Sequence, residues 1–436
     1  MKIVFNTLVF LVFFTSIIGC KKDKDSAPPS IFISAPAENK IYKVFDTIQI
    51  IAEVSDEAKL VNISVKLLNA SLSPIEDEII IKPISKSYSV NKFMLLYDIH
   101  LASGTYFIAV EAGDGNNIAT AYRKIYINEE PLKRTGFILF GKSFGNTLNI
   151  SKIDSSYNTM PVMSNTVSDY SGSAVSSYYQ DVFVAGKYSG SYRAIDLENN
   201  TQKWSIPAIV GSSPYFNGVS TNGISNFISY YGSKVKALDQ NGQFKFQATV
   251  GVSGYYPELV FDSGEYLLME QIDAASSDKK IVVYNRTTGA GVQEFMANLD
   301  VVAFCKKNAN EIFVFGNDNS GQGYIKIYDI PGNSIWSPHV LPSGKVLSAS
   351  QMDADNYLIG HADGNVYLYT YNTSNFISIL NGVTPNKIQY DVVKKQLIVT
   401  GSYDVKIYDY STSIGAPVKT IASVDSIYNV EVLYNK

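Results

Sequence analysis

The sequence predicts an all-β protein in two parts, and three observations carry that prediction. Apolar residues alternate at period two in run after run, beginning with Thr47-Ile48-Gln49-Ile50-Ile51-Ala52-Glu53-Val54. Turn residues punctuate these runs at short intervals. An internal repeat then occupies roughly the last 300 residues. At 436 residues the chain exceeds one ordinary domain. Its 46% hydrophobic and 17% charged content excludes a disordered chain. A net charge of -4, from 36 basic and 40 acidic residues, leaves no basic excess to neutralise phosphates and argues against a nucleic-acid partner.

The first 19 residues read as a targeting segment. Lys2 supplies a positive start, and the apolar run from Leu8 to Ile18 is too short to span a bilayer. The run ends in Ile17-Ile18-Gly19-Cys20, which resembles the bacterial lipobox. That resemblance implies a lipoprotein signal peptide over 1–19, cleavage before Cys20 and a diacylglycerol on its thiol. Each buried methylene contributes about 0.8 kcal/mol, so two or more acyl chains anchor a protein stably. Residues 20–30, with Lys21-Lys22-Asp23-Lys24-Asp25 followed by Pro28-Pro29, read as a flexible tether. The charged stretch after the Cys resembles signals that send some lipoproteins to the outer surface; a solvated spacer is the bland alternative. The expected address is the bacterial outer membrane or cell surface, with membrane contact through the lipid.

Residues 31–130 are expected to form seven short strands. They are Ile31 to Ser34, Thr47 to Val54, Leu60 to Leu67, Glu78 to Ile81, Phe93 to Ile99, Thr105 to Ala112 and Ala121 to Ile127. Seven strands in about 100 residues suggest a β-sandwich. Ser103-Gly104-Thr105-Tyr106 and the apolar run behind it resemble the penultimate strand of immunoglobulin-like bacterial modules, where a tyrosine stands at the corner. Asp114-Gly115-Asn116-Asn117 reads as a turn rather than a calcium loop.

The repeat covers residues 135–436. Each copy is an apolar strand, usually ending in Gly, then a hairpin, then a strand closing on an aliphatic or Tyr followed by a turn residue. Those turn residues are Asp154, Asp196, Asp239, Asn285, Asp329, Thr370 and Asp409, spaced 39 to 46 apart. Four short strands per unit at this period is the pattern of propeller blades, so a seven-bladed β-propeller is expected. The first copy lacks a strand before its Gly-ending strand, whereas Ser426 to Tyr434 is an extra strand at the end. The C-terminal strand is therefore expected to complete blade one and leave no open edge.

The copy from Val182-Phe183-Val184-Ala185-Gly186 through Tyr192-Arg193-Ala194-Ile195-Asp196 to Lys203-Trp204 resembles the quinoprotein-like (PQQ-repeat-like) unit. Ile335-Trp336 fits more loosely, and the remaining copies resemble WD40-like propellers without their G-H and W-D dipeptides. The resemblance implies a fold and no activity. A quinone-dependent enzyme commonly has a vicinal disulfide, and this chain has only Cys20 and Cys305. Cys305 follows an apolar inner-strand pattern and reads as an inert buried thiol. His100, His339 and His361 form no local motif. Asp262-Ser263-Gly264-Glu265 and Asp353-Ala354-Asp355-Asn356 occupy one repeat slot, which turn chemistry explains. Glu270 belongs to the same acidic cluster, and Gly316 to Gly323 reads as a hairpin loop. No catalytic residue, metal site or cofactor is assigned.

Aromatic loops are the candidate site. Tyr170, Tyr215, Tyr255 and Tyr256 fall in equivalent slots of three consecutive copies, beside Ser, Asn and Gly. Together on one face they suit a glycan or an envelope protein; the alternative is packing between blades. The expectation is a non-catalytic binding or scaffold lipoprotein of the cell envelope. The competing class is a propeller enzyme (a lyase, lactonase or quinone-dependent dehydrogenase) with an axial active site.

Overall fold

The computed structural model describes residues 27–436, apart from 58, 144–146, 165, 233, 250–253 and 411–413. The signal segment and Cys20 lie outside the described residues. Contacts divide the chain into a unit ending at Pro131 and a unit running from Leu132 to Lys436. Among the described residues every regular element is a strand.

The first unit contains β1 (Ser30–Ala35), β2 (Lys40–Lys43), β3 (Thr47–Ser55), β4 (Asn62–Leu68), β5 (Ile79–Ile81), β6 (Ser87–Leu95), β7 (Gly104–Gly113) and β8 (Ile118–Asn128). They form a three-stranded sheet, β1-β3-β6, and a five-stranded sheet, β2-β8-β7-β4-β5. Alternation does the work: Ile48, Ile50, Ala52 and Val54 of β3 turn inward to meet Ile63, Val65, Leu67, Ile108 and Val110 of the second sheet in one core. Two expectations are corrected. β2 was not anticipated, because four residues with only Tyr42 buried carry no period-two signal. β6 runs over 87–95 rather than 93–99, since it pairs with all of β3, and Asp98 then accepts the His100 N–H (2.9 Å) in a turn. Tyr106 donates its hydroxyl to the Ala102 carbonyl at 2.8 Å. Asp114 accepts the backbone N–H groups of Asn116 and Asn117, which closes its turn and lowers its pKa.

The second unit is built from four-stranded antiparallel sheets. The first joins β9 (Arg134–Lys142), β10 (Leu148–Asp154) and β11 (Thr159–Met163) to a strand from the far end of the chain. The second contains β12 (Tyr170–Ser176), β13 (Asp181–Gly186), β14 (Tyr192–Asp196) and β15 (Thr201–Ile206). Then come β16 (Phe216–Thr221), β17 (Asn226–Tyr230), β18 (Lys234–Leu238) and β19 (Phe244–Thr249), followed by β20 (Tyr255–Asp262), β21 (Tyr266–Asp273), β22 (Lys279–Asn285) and β23 (Gly291–Met296). The fifth sheet is β24 (Asp300–Lys306), β25 (Glu311–Asn317), β26 (Gly323–Asp329) and β27 (Ser334–His339). The sixth is β28 (Val346–Gln351), β29 (Asn356–His361), β30 (Asn365–Thr370) and β31 (Asn375–Asn381). The last is β32 (Lys387–Asp391), β33 (Gln396–Thr400), β34 (Asp404–Asp409) and β35 (Lys419–Ala422). The closing strand, β36 (Ser426–Tyr434), pairs antiparallel with β9.

Burial explains the repeat. The second strand of a sheet is sandwiched between neighbouring sheets, so β13 and β17 are buried at every position and read as continuous apolar runs. The fourth strand is an edge, and β15 and β23 are mostly exposed. The recurring Asp or Asn closes the turn into that edge. Asp154, Asp239 and Asn285 each accept two backbone N–H groups there. The first strands of the sheets contact one another in cyclic order: β36, β12, β16, β20, β24, β28, β32 and back to β36.

Candidate functional site

Most of these inner strands are kinked at the same place. Their register against the second strand shifts by a residue or more at Ser171, Asn217, Glu258–Leu259, Val302, Leu347 and Tyr428. A bulge of this kind turns a side chain out of the ladder. Five of the displaced side chains, Ser171, Asn217, Glu258, Leu259 and Tyr428, line one cavity of about 460 Å³ that the inner strands share. Gly172 and Gly218 make the close approach possible. A Cβ on Gly172 would stand 2.8 Å from the Val219 nitrogen, and one on Gly218 would stand 2.7 Å from the Glu258 carbonyl oxygen.

The cavity wall is charged unevenly. Glu258, Glu270 and Asp300 come from the fourth and fifth sheets, and Lys387 comes from β32. Glu270 is 2% exposed, and its Oε1 accepts the Val301 N–H at 2.7 Å. Val301 stands at the register shift of its own strand. Desolvation, reinforced by the charges of Glu258 and Asp300, pushes the Glu270 carboxyl up to about 8. The Glu258 carboxylate opens to water but has protein on most sides, and this raises its pKa as well. Asp300 is paired with Lys279 at 2.5 Å. Asn429, 8% exposed, donates its Nδ2 to Ser173 and Glu431, while its Oδ1 and the Ser220 hydroxyl have no partner among the described residues.

The four tyrosines part company around this cavity. Tyr170 lines it, stacked on Tyr428 with centroids 4.3 Å apart, its hydroxyl 2.8 Å from Ser173 Oγ. Tyr215 packs edge-on against Phe216 (4.7 Å) and Tyr230 (5.4 Å). Tyr255 lies under the Lys280 ammonium at 4.3 Å, and Tyr256 leans on Tyr231 at 4.6 Å. Tyr170 and Tyr255 begin β12 and β20, and Tyr215 directly precedes β16, so these residues stand at the same end of neighbouring inner strands. Among the described residues no ring contact joins any two of the four. In these three strands the next polar residue after the tyrosine, Ser171, Asn217 or Glu258, stands at the register shift and lines the cavity.

Other expectations meet definite surroundings. Cys305 on β24 is buried, and burial pushes its thiol up to about 12. His361 ends β29, fully buried, with its Nδ1 at 3.0 Å from Asp363. Gly316 and Asn317 were read as part of a loop, yet both end β25. The Asn317 side chain holds both the N–H and the carbonyl of Val346 in the next sheet (2.8 and 3.0 Å). Trp204 likewise reaches the next sheet, donating to the Gln240 carbonyl at 2.8 Å, whereas Trp336 is exposed.

No protein-family profile matches the sequence, and no curated protein does. Solved structures similar to the chain include BamB from Moraxella catarrhalis (13% identity, 68% of this chain and 92% of that one, TM-score 0.41). The WD40 β-propeller domain of Doa1 is similar at 11% identity over 62% and 90% of the two chains, with a TM-score of 0.45. Hydrazine synthase from Kuenenia stuttgartiensis is similar at 14% over 67% and 97%, with a TM-score of 0.48.

Proposed function

We propose that the chain is a non-catalytic binding or scaffold lipoprotein of the bacterial envelope. Cys20 carries the lipid that holds it at the outer membrane or cell surface. The first unit is an immunoglobulin-like spacer, supported by its two sheets over one core and by the Tyr106 hydroxyl bonded back to Ala102, as at a tyrosine corner. The second unit is a seven-bladed propeller zipped shut by β36, and it presents the face at Tyr170, Tyr215, Tyr255 and Tyr256 to a glycan or a protein. The observation that carries this reading is the cyclic order of the inner strands, with tyrosines at the same end of three neighbours. A glycan array and an envelope cross-linking experiment with the full chain test it. A partner lost on replacing the four tyrosines with alanine supports the site, and a partner retained refutes it. Mass spectrometry of the N-terminal peptide tests the anchor: an unmodified Cys20 refutes it.

One observation favours the enzyme class. Glu270, protonated near neutral pH, stands in the same cavity as Glu258, and a carboxylic acid beside a carboxylate is an acid–base pair in form. Turnover of a polysaccharide or lactone that disappears in Glu270→Gln would establish that class.

A further inference from the structure

The cavity enclosed by the inner strands contains opposite charges that have no partner among the described residues. Glu258 makes no ion pair or hydrogen bond through its carboxylate among the described residues, and Lys387 makes none through its ammonium. β20 and β32 are three strands apart in the cyclic order, so the two groups stand on opposite walls. Lys279, the cation on Glu258's own side, is occupied by Asp300, and Lys187 acts on Glu258 only through its field. Between the walls lie two more unsatisfied groups, the Asn429 carbonyl oxygen and the Ser220 hydroxyl. A buried polar atom without a partner costs roughly 1–3 kcal/mol, and that cost is recovered when a ligand supplies the missing donor. The volume, about 460 Å³, is in the range of small-molecule pockets.

We infer that this cavity binds a short peptide with free ends. Its ammonium group meets Glu258, its carboxylate meets Lys387, and an amide N–H in between is accepted by the Asn429 carbonyl oxygen. A simple cation leaves Lys387 unanswered, and a simple anion leaves Glu258 unanswered. A neutral sugar satisfies the hydroxyl and the amide but neither charge. The inference rests on the non-catalytic binding reading above and adds to it a ligand class and a second site, which adjoins the tyrosine face through Tyr170.

The test is calorimetric titration of the full chain with triglycine, N-acetyl-triglycine and triglycine amide. Triglycine is expected to bind, and each blocked form to bind at least about tenfold more weakly, a difference of about 1.4 kcal/mol. Glu258→Gln should erase the preference for the free amine and keep that for the free acid. Lys387→Met should do the reverse. Neither side chain has a partner to strand, so both variants should melt like the parent. If either fails to fold, the three peptides on the unaltered chain still decide the matter. No heat from triglycine at about 10 mM overturns the inference, as do equal affinities for the blocked forms. Free glycine binding as tightly as triglycine overturns the peptide assignment. Hydrolysis of triglycine during the titration would instead overturn the non-catalytic reading and leave the ligand class standing.

Discussion

Two places where the second unit joins its sheets handle buried charge in opposite ways. At the closing seam, Arg134 of β9 reaches Asp391 of β32 at 3.0 Å, with both side chains buried. Gln396 accepts a second bond from the guanidinium (2.5 Å), the Phe137 and Tyr157 rings lie beneath it (4.8 and 5.5 Å), and Tyr434 of β36 donates to Asp391 (3.3 Å). Both charges of the pair are thereby matched, although the buried Arg134 Nε has no partner among the described residues. At the junction of the fourth and fifth sheets, Glu270 holds the Val301 N–H with a carboxyl that has no cation in contact, and Glu258 beside it adds repulsion. Satisfied charge at the seam serves architecture. Unsatisfied charge at the junction is tolerated because it faces a cavity. The lesson is that partnering, more than burial, separates the two places.

The largest effects should come from breaking the seam. Deleting 426–436 strips β9 of its inner neighbour and Asp391 of the Tyr434 hydroxyl, and the whole second unit should lose its cooperative transition in a thermal melt. Arg134→Ala strands Asp391 without its counter-ion and should cost about 3–5 kcal/mol. A double change, Arg134→Met with Asp391→Leu, should recover much of that loss, because the cost belongs to the uncompensated charge. Retention of full stability in Arg134→Ala would show that the pair is ornamental.

The junction should respond to pH. Glu270 has a folded pKa of about 8 against an ordinary value of 4.5. The folded state therefore binds more protons than the unfolded state between those values, and stability must fall as pH rises through that window. The contribution is complete below 4.5 and lost above 8. Glu270→Gln should flatten that slope and leave a variant more stable than the parent at pH about 9. Urea titrations across pH check this, and an unchanged slope would refute the assignment. Asn317 does the equivalent joining between the fifth and sixth sheets with no ionisable group. Asn317→Ala should cost about 1–3 kcal/mol per stranded backbone group, with no pH dependence.

How much of this was readable beforehand follows from the range of each interaction. The repeat was readable because its marks are local: Asp154 or Asp239 closes a turn within four residues, and the second strands are apolar throughout. The closing strand was readable by counting, since one copy lacked an inner strand and one strand was left over. The cavity was not. Its polar lining depends on bulges, and a bulge is a mismatch between two strands that neither strand records alone. Asn317 was taken for a loop residue because its partner, Val346, lies in the next sheet. Four-residue β2 was missed for want of length.

The smallest expected effect concerns Tyr170, which joins the candidate face to the cavity. Its ring stacks on Tyr428 of the closing strand, and its hydroxyl shares Ser173 with Asn429. Burial holds that phenol far above its ordinary pKa, so it stays neutral throughout the working range. Tyr170→Phe keeps the ring stack and the cavity wall and removes one neutral hydrogen bond, while Ser173 retains Asn429 as a partner. The loss should be about 0.5–1.5 kcal/mol, independent of pH. Tyr170→Ala also removes the stack and opens the wall, and should cost clearly more. Equal losses in the two variants would mean that the hydroxyl network, not the aromatic face, is what binds the closing strand to the second sheet. That result would place Tyr170 with the paired groups of the seam rather than with the open ones of the junction.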